Sequence, residues 1–282
     1  MTNTISKLAM ALVAMAALAL PAAGTAQSRL PVKFVKNAKC NLTDGAWAAV
    51  PYQTLSMVKV YETYVAPYDP YGDRNPPSDE TRPIDVKAIH NGTDICFSLR
   101  WTDATQDLLT NDVPLFADAV AIQVPFNARD MWGNEGLGIE PALPELPPPA
   151  PEPVHGEFLG LCPESYHMGA MEPSPEQCGV WIAFWRPDLP GVQNVTGVGQ
   201  GTVQRTSPSD PASGATVAFA KYELGSWTVI LKRPLVGPSP NMVTLERGHH
   251  YPIAYSQWDG TLKERNGRKF ASDDWNDNIV IE

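Results

Sequence analysis

The chain has 282 residues, a formal net charge of −10 and four cysteines. A surface this acidic is poorly suited to gripping a polyphosphate backbone, so nucleic acid is set aside as a partner; it suits a basic protein partner through electrostatic steering. About 255 residues beyond the leader suffice to bury a sizeable core, so the cysteines act as bracing and not as the frame of a disulfide-rich miniature fold.

Residues 1–26 read as a secretory signal peptide. Lys7 gives a positive start, LAMALVAMAALAL forms the apolar run, and AAGTAQS supplies small residues for cleavage after Ala26. Residues 27–282 are then expected to form one exported domain, and no later stretch is apolar and long enough to span a membrane. Strand signals follow. VKAIHNGTDICFSLRW (86–101) is two extended runs around Asn91-Gly92, a hairpin signature. DAVAIQVPF (118–126) and VWIAFWRPD (180–188) each read as strands. ATVAFAKYELGSWTVILKRPL (215–235) is a second hairpin turning at Leu224-Gly225-Ser226, and HYPIAYSQWDG (250–260) and NIVIE (278–282) complete the set. No long helical periodicity appears after the leader, although short helical turns are expected near 102–112. Many short strands with Pro- and Gly-rich turns predict an all-β antiparallel sandwich. Two long connections interrupt it: the polar stretch 67–83 and the Pro-rich excursion 138–154.

The usual nucleophile-elbow, zinc-protease, P-loop and dinucleotide fingerprints are absent, as is the C-x-x-C-H of covalent haem attachment. Residue types alone therefore point to no catalytic centre. CPESYHMGAMEPSPEQC (162–178) is the unusual segment. The nearness of Cys162 and Cys178 suggests a bond closing the loop around Met168, which leaves Cys40 and Cys96 to pair; sequence does not choose among the connectivities. A Met sulfur is a soft ligand able to bind haem iron axially, and Gly169 beside it leaves room for a flat ring to approach. The plainer reading of Met168 is a gap-filling side chain. Downstream, YPIAYSQWDGTLKERNGRKFASDDW (251–275) carries Lys263, Arg265, Arg268 and Lys269 in what reads as a basic loop. Such a loop is able to receive carboxylates, and a lysine beside a metal is able to bind through its neutral amine. The plainer reading is a solvated turn. The histidines (His90, His155, His167, His249 and His250) are scattered and offer no cluster.

DAVAIQVP, the Met-Gly of SYHMGA, VWIAFWRPD, SWTVILKRPL and YPIAYSQWDGTLKERNGRKFAS occur in that order across 84–275. The series resembles the haem-b-binding gamma subunits of the ethylbenzene dehydrogenase, dimethyl sulfide dehydrogenase, selenate reductase and chlorate reductase group. The resemblance implies a β-sandwich holding one non-covalent haem b with axial Met and Lys. Met168-Gly169 matches the Met-Gly of that group. Lys269 is the chosen amine, with Lys263 and Lys232 behind it, and Arg268 and Arg265 are candidates for propionate pairing. It further implies a non-catalytic periplasmic subunit. Such a subunit passes electrons between an iron–sulfur subunit and a carrier such as a c-type cytochrome, with molybdopterin chemistry on another chain. A secreted carbohydrate-binding sandwich without haem is the competing expectation, since aromatic strands and long loops serve sugar stacking as well.

Overall fold

The structure is a computed structural model that describes residues 29–60, 80–109, 116–126, 180–199, 202–265, 268–272 and 277–282. Residues 1–26, expected to be a leader, the Pro-rich excursion 138–154, Met168, Gly169, Cys162 and Cys178 lie outside the described residues. The described residues form thirteen strands: β1 (Arg29–Phe34), β2 (Gln53–Val60), β3 (Thr81–His90), β4 (Asp94–Thr102), β5 (Ala119–Pro125), β6 (Val180–Trp185), β7 (Gln193–Gly199), β8 (Thr202–Arg205), β9 (Val217–Tyr222), β10 (Ser226–Pro234), β11 (His250–Trp258), β12 (Lys269–Ser272) and β13 (Asp277–Ile281). The short helical turn expected near 102–112 is absent from the described part of that stretch; a 3₁₀ turn stands instead at Gly45–Ala49, where Asp44 accepts the Ala46 N–H.

The strands run in the order β8-β7-β6-β5-β11-β12-β2-β3-β4-β10-β9. Pairing is antiparallel except at β1, which runs parallel to both β13 and β3, so the sandwich is mixed and not purely antiparallel. The gap between β11 and β3 is bridged twice. β13 and β1 fill it at one end, beside His250–Ile253 and Ala88–His90, and β12 and β2 fill it at the other. The two wings on either side of this seam face each other. One core cluster takes Val120, Ile122 and Trp181 from the first wing and Phe97, Leu99 and Val229 from the second. Trp185 of β6 meets Trp227 of β10 edge to face at 5.2 Å between centroids.

Local sequence explains the hairpins. Gly92 sits at φ 95°, and Asn91 Oδ1 accepts the N–H groups of Thr93 and Asp94 at 2.9 and 2.7 Å. Leu224 and Gly225 are both at positive φ, 51° and 71°, which sets the β9–β10 turn. Cys40 and Cys96 are bonded with 5.9 Å between Cα atoms, pinning the segment after β1 to β4 under Trp47 and Ile89. Because this bond joins positions 56 apart, Cys40→Ala/Cys96→Ala is expected to cost about 2–4 kcal/mol in denaturant unfolding. An unchanged midpoint would show that the bond braces nothing.

Candidate functional site

The chain leaves β11 at Trp258 and enters β12 at Lys269, and the turn between them is held by carboxylates. Gly260 donates its N–H to Asp118 Oδ1 at 3.0 Å. A Cβ at Gly260 would meet the Phe116 carbonyl oxygen at 1.9 Å, so only glycine fits. Glu264 Oε2 accepts the Asp259 N–H at 2.8 Å, and its two oxygens take two N–H groups of Arg82, each at 3.0 Å. The Arg82 guanidinium lies 4.0 Å from the centroid of Phe270, the residue after Lys269. Arg268 donates its backbone N–H to the Arg265 carbonyl at 2.9 Å, closing the turn.

Asp118 is fully buried and is the hub of this end of the sandwich. Its Oδ2 accepts from the Trp227 indole at 2.8 Å and from the Asp107 N–H at 2.9 Å. Three segments therefore converge on one carboxylate: β10, the stretch after β4, and the turn after β11. Oxygens from Asp103, Asp118 and Asp259 all lie within 4.8 Å of one another. Burial pushes the Asp118 carboxyl up to about 6, against the pull of its donors, with Asp103 adding to the rise. Burial also raises Asp103, and the Asp259 charge adds to it. Glu264 is raised by burial, while Arg82 opposes the rise.

The expected site residues separate clearly. Lys269 is not part of a solvated loop: it is 4% exposed, the first residue of β12, with Nζ 5.4 Å from the Trp258 ring centroid. Trp258 in turn meets Phe184 edge to face at 5.4 Å. Lys263 is exposed at φ 57°, and Lys232 is ion-paired to Asp94 at 3.0 Å. Arg268 and Arg265 are half-buried, Arg265 lying 4.9 Å from the Phe116 ring. Trp181 is a buried core residue whose indole donates to Asn194 Oδ1 at 3.2 Å, while Trp185 and Trp227 pack on each other. His90 is buried with Nε2 2.7 Å from the Glu282 carbonyl oxygen.

Asp118, Asp103, Gly260, Glu264 and Arg82 were not expected to matter. The signal lay in the Asp-Ala-Val-Ala and W-D-G segments themselves, whose polar residues turn out to bind each other. Asp118 has a folded value above that of the free carboxyl. It thus contributes stability that is complete below pH 3.8 and fades as pH rises through about 6. In metal-free buffer, wild type is expected to lose on the order of 1 kcal/mol of unfolding free energy between pH 5 and 7.5, and Asp118→Asn to flatten that slope. Parallel pH profiles for the two proteins would remove Asp118 as the source.

An ethylbenzene dehydrogenase family model matches residues 44–146. The chain is 26% identical over 238 residues to the dimethylsulfide dehydrogenase subunit gamma of Rhodovulum sulfidophilum, covering 82% of this chain and 72% of that one. It is 23% identical over 196 residues to the chlorate reductase subunit gamma of Ideonella dechloratans, covering 69% and 64%. A Haloferax mediterranei protein, ORF7, provisionally described as a respiratory nitrate reductase heme subunit, is 23% identical over 231 residues, covering 82% of this chain and 65% of that one. The chain thus spans about two thirds of the length of these relatives. A family 9 carbohydrate binding module from Caldicellulosiruptor kristjanssonii, solved with glucose, aligns with a TM-score of 0.44 at 8% identity, over 90% of this chain and 96% of that one. Nothing about sugar binding passes to this chain at that distance. The resemblance read from the ordered segments holds: the chain is related in sequence to the gamma subunits of the dimethylsulfide dehydrogenase and chlorate reductase group.

Proposed function

We propose that the chain is a periplasmic haem b electron-transfer subunit of a molybdenum-dependent oxidoreductase complex. In this reading it is non-catalytic and relays electrons between an iron–sulfur subunit and a soluble carrier such as a c-type cytochrome. The observation that carries the reading is the sequence relationship to gamma subunits, one relative being described as a heme subunit. The leader 1–26 supports export.

The described residues fit one half of a haem site. Lys269 supplies an amine donor held out of water beside Trp258, on a strand bonded to both β11 and β2. Met168, with Gly169, is the second donor in this proposal. A bound haem supplies reversible one-electron transfer, and two protein ligands suit relay over oxygen activation. The residues around Lys269 have mechanical tasks. Trp258 shields the amine, Glu264 and Arg82 fix the turn before it, and Arg268 stands next to it for a propionate.

The purified full chain is expected to show a Soret band, sharp α and β bands on reduction, and a b-type pyridine haemochrome. Lys269→Ala is expected to lose the reduced low-spin bands or most of the haem, and Met168→Ala to lower the potential or retention. Lys263→Ala leaves the spectrum unchanged. A colourless protein, made with ample haem and retained on a polysaccharide column, would refute the relay and favour sugar binding.

A further inference from the structure

We infer that the haem of the proposed relay lies on the outer face of the first wing, over β5 and β11 and onto β12, and not between the two wings; the inference rests on that relay reading. Register decides which side chains share this face. Trp258 stands opposite Ala119 and Ser256 opposite Ala121 across β11 and β5, and Ala271 of β12 stands opposite Ser256. Phe270 belongs to the interior cluster, so its neighbours Lys269 and Ala271 point outward. Lys269 therefore shares the outer face with Trp258, in keeping with the 5.4 Å from Nζ to the centroid of that ring. Trp181, Trp185 and Trp227 belong to the interior instead, where Trp185 and Trp227 already meet at 5.2 Å across the space between the wings.

An antiparallel sheet with one face on a core commonly turns a polar face to water. Here every residue of β5 is buried, on both faces. The outward side chains form an apolar cluster of their own, built around Ala119, Ala121, Ala254 and Trp258, and all its members come from β5, β6, β7 and β11. Among the described residues it draws no member from another layer. Its middle is low, because alanines and Ser256 project little beyond the backbone. Three strands about 4.8 Å apart, at about 3.4 Å per residue over Ala119–Gln123, give a floor of roughly 10 by 14 Å, the scale of a porphyrin ring. A second observation is polar. Gln123, opposite Ala254 on this face, is 2% exposed; its Nε2 lies 3.5 Å from Ser256 Oγ and its Oε1 meets no donor. An orphaned buried amide oxygen is costly, and a purely apolar cover would leave that cost in place. With the amide turned over, Oε1 takes the Ser256 hydroxyl and Nε2 donates to a carboxylate. A haem offers both parts, an apolar ring for the alanines and a carboxylate edge for Gln123.

The test compares the full chain, purified with ample haem, with Ala121→Leu, Ala254→Leu and Trp185→Phe. Each leucine would occupy the floor. Haem per protein, read from the pyridine haemochrome, is therefore expected to fall at least tenfold in both, while the circular dichroism of the apoprotein stays that of wild type. Trp185→Phe is expected to keep its haem and its reduced bands. If a leucine variant does not fold, Ala121→Val decides: haem transfer to excess apomyoglobin is expected to run at least tenfold faster than from wild type. The placement is overturned if the floor variants hold haem as wild type does, or if Trp185→Phe alone releases it. A wild type that takes up no haem overturns the relay and this placement with it. Haem that is lost in Lys269→Ala but indifferent to Ala121 and Ala254 overturns the placement alone.

Discussion

The structure depends on one buried carboxylate. Asp118 carries no exposed surface and accepts from Trp227, Asp107 and Gly260, groups that belong to three separate stretches of chain. An unpaired charge there would cost several kcal/mol; three N–H donors offset much of that cost. The price is positional: each donor must arrive at its place, so the carboxylate selects one arrangement of β10, the segment after β4 and the turn after β11. Gly260 makes the selection strict, because its neighbour Phe116 leaves no room for a side chain.

From that hub the constraint passes to β12. Asp259 gives its carboxylate to the cluster and its N–H to Glu264, and Glu264 holds Arg82 of β3 through both oxygens. Arg82 covers Phe270. A buried ion pair of this kind adds little net stability over an apolar pair of the same volume; what it contributes is registration. Here it ties the turn after β11 to the far side of the seam. The short strand between them, KFAS, has little choice of position. Lys269 is placed by neighbours on both sides more than by its own propensity.

The hairpins were legible because their information is local. Gly92, Leu224 and Gly225 take positive φ at the two turns, and apolar strands flank both. β5 and β6 were legible as apolar runs, and the all-β class followed from their number. β1, β2, β7, β8 and β12 were not read. β12 is the instructive miss, since KFAS follows a charged run and all four of its residues are buried, so no alternation marks it. The 3₁₀ turn was misplaced for a related reason: its signal is an Asp cap at Asp44, easily matched elsewhere in an Asp-rich chain. At the site, Lys263 and Lys269 are the same residue type in one segment. Only tertiary packing separates the exposed one at positive φ from the one beneath Trp258. The Cys40–Cys96 bond was reachable by pairing what remained; the carboxylate cluster was not, because Asp103, Asp118 and Asp259 meet only when β4, β5 and β11 have been assembled.

This arrangement also shows what the polar residues Asp118, Asp259 and Glu264 contribute that apolar ones would not. Apolar packing at the seam would hold β11 and β3 together but would tolerate a slip, since hydrophobic contact is not directional. Hydrogen bonds to a fixed carboxylate do not tolerate it: one residue of slip in β12 would send Lys269 to the opposite face and break the Arg82–Phe270 contact. The contacts of Asp118, Gly260, Asp259 and Glu264 therefore fix the position of β12, and Lys269 with it.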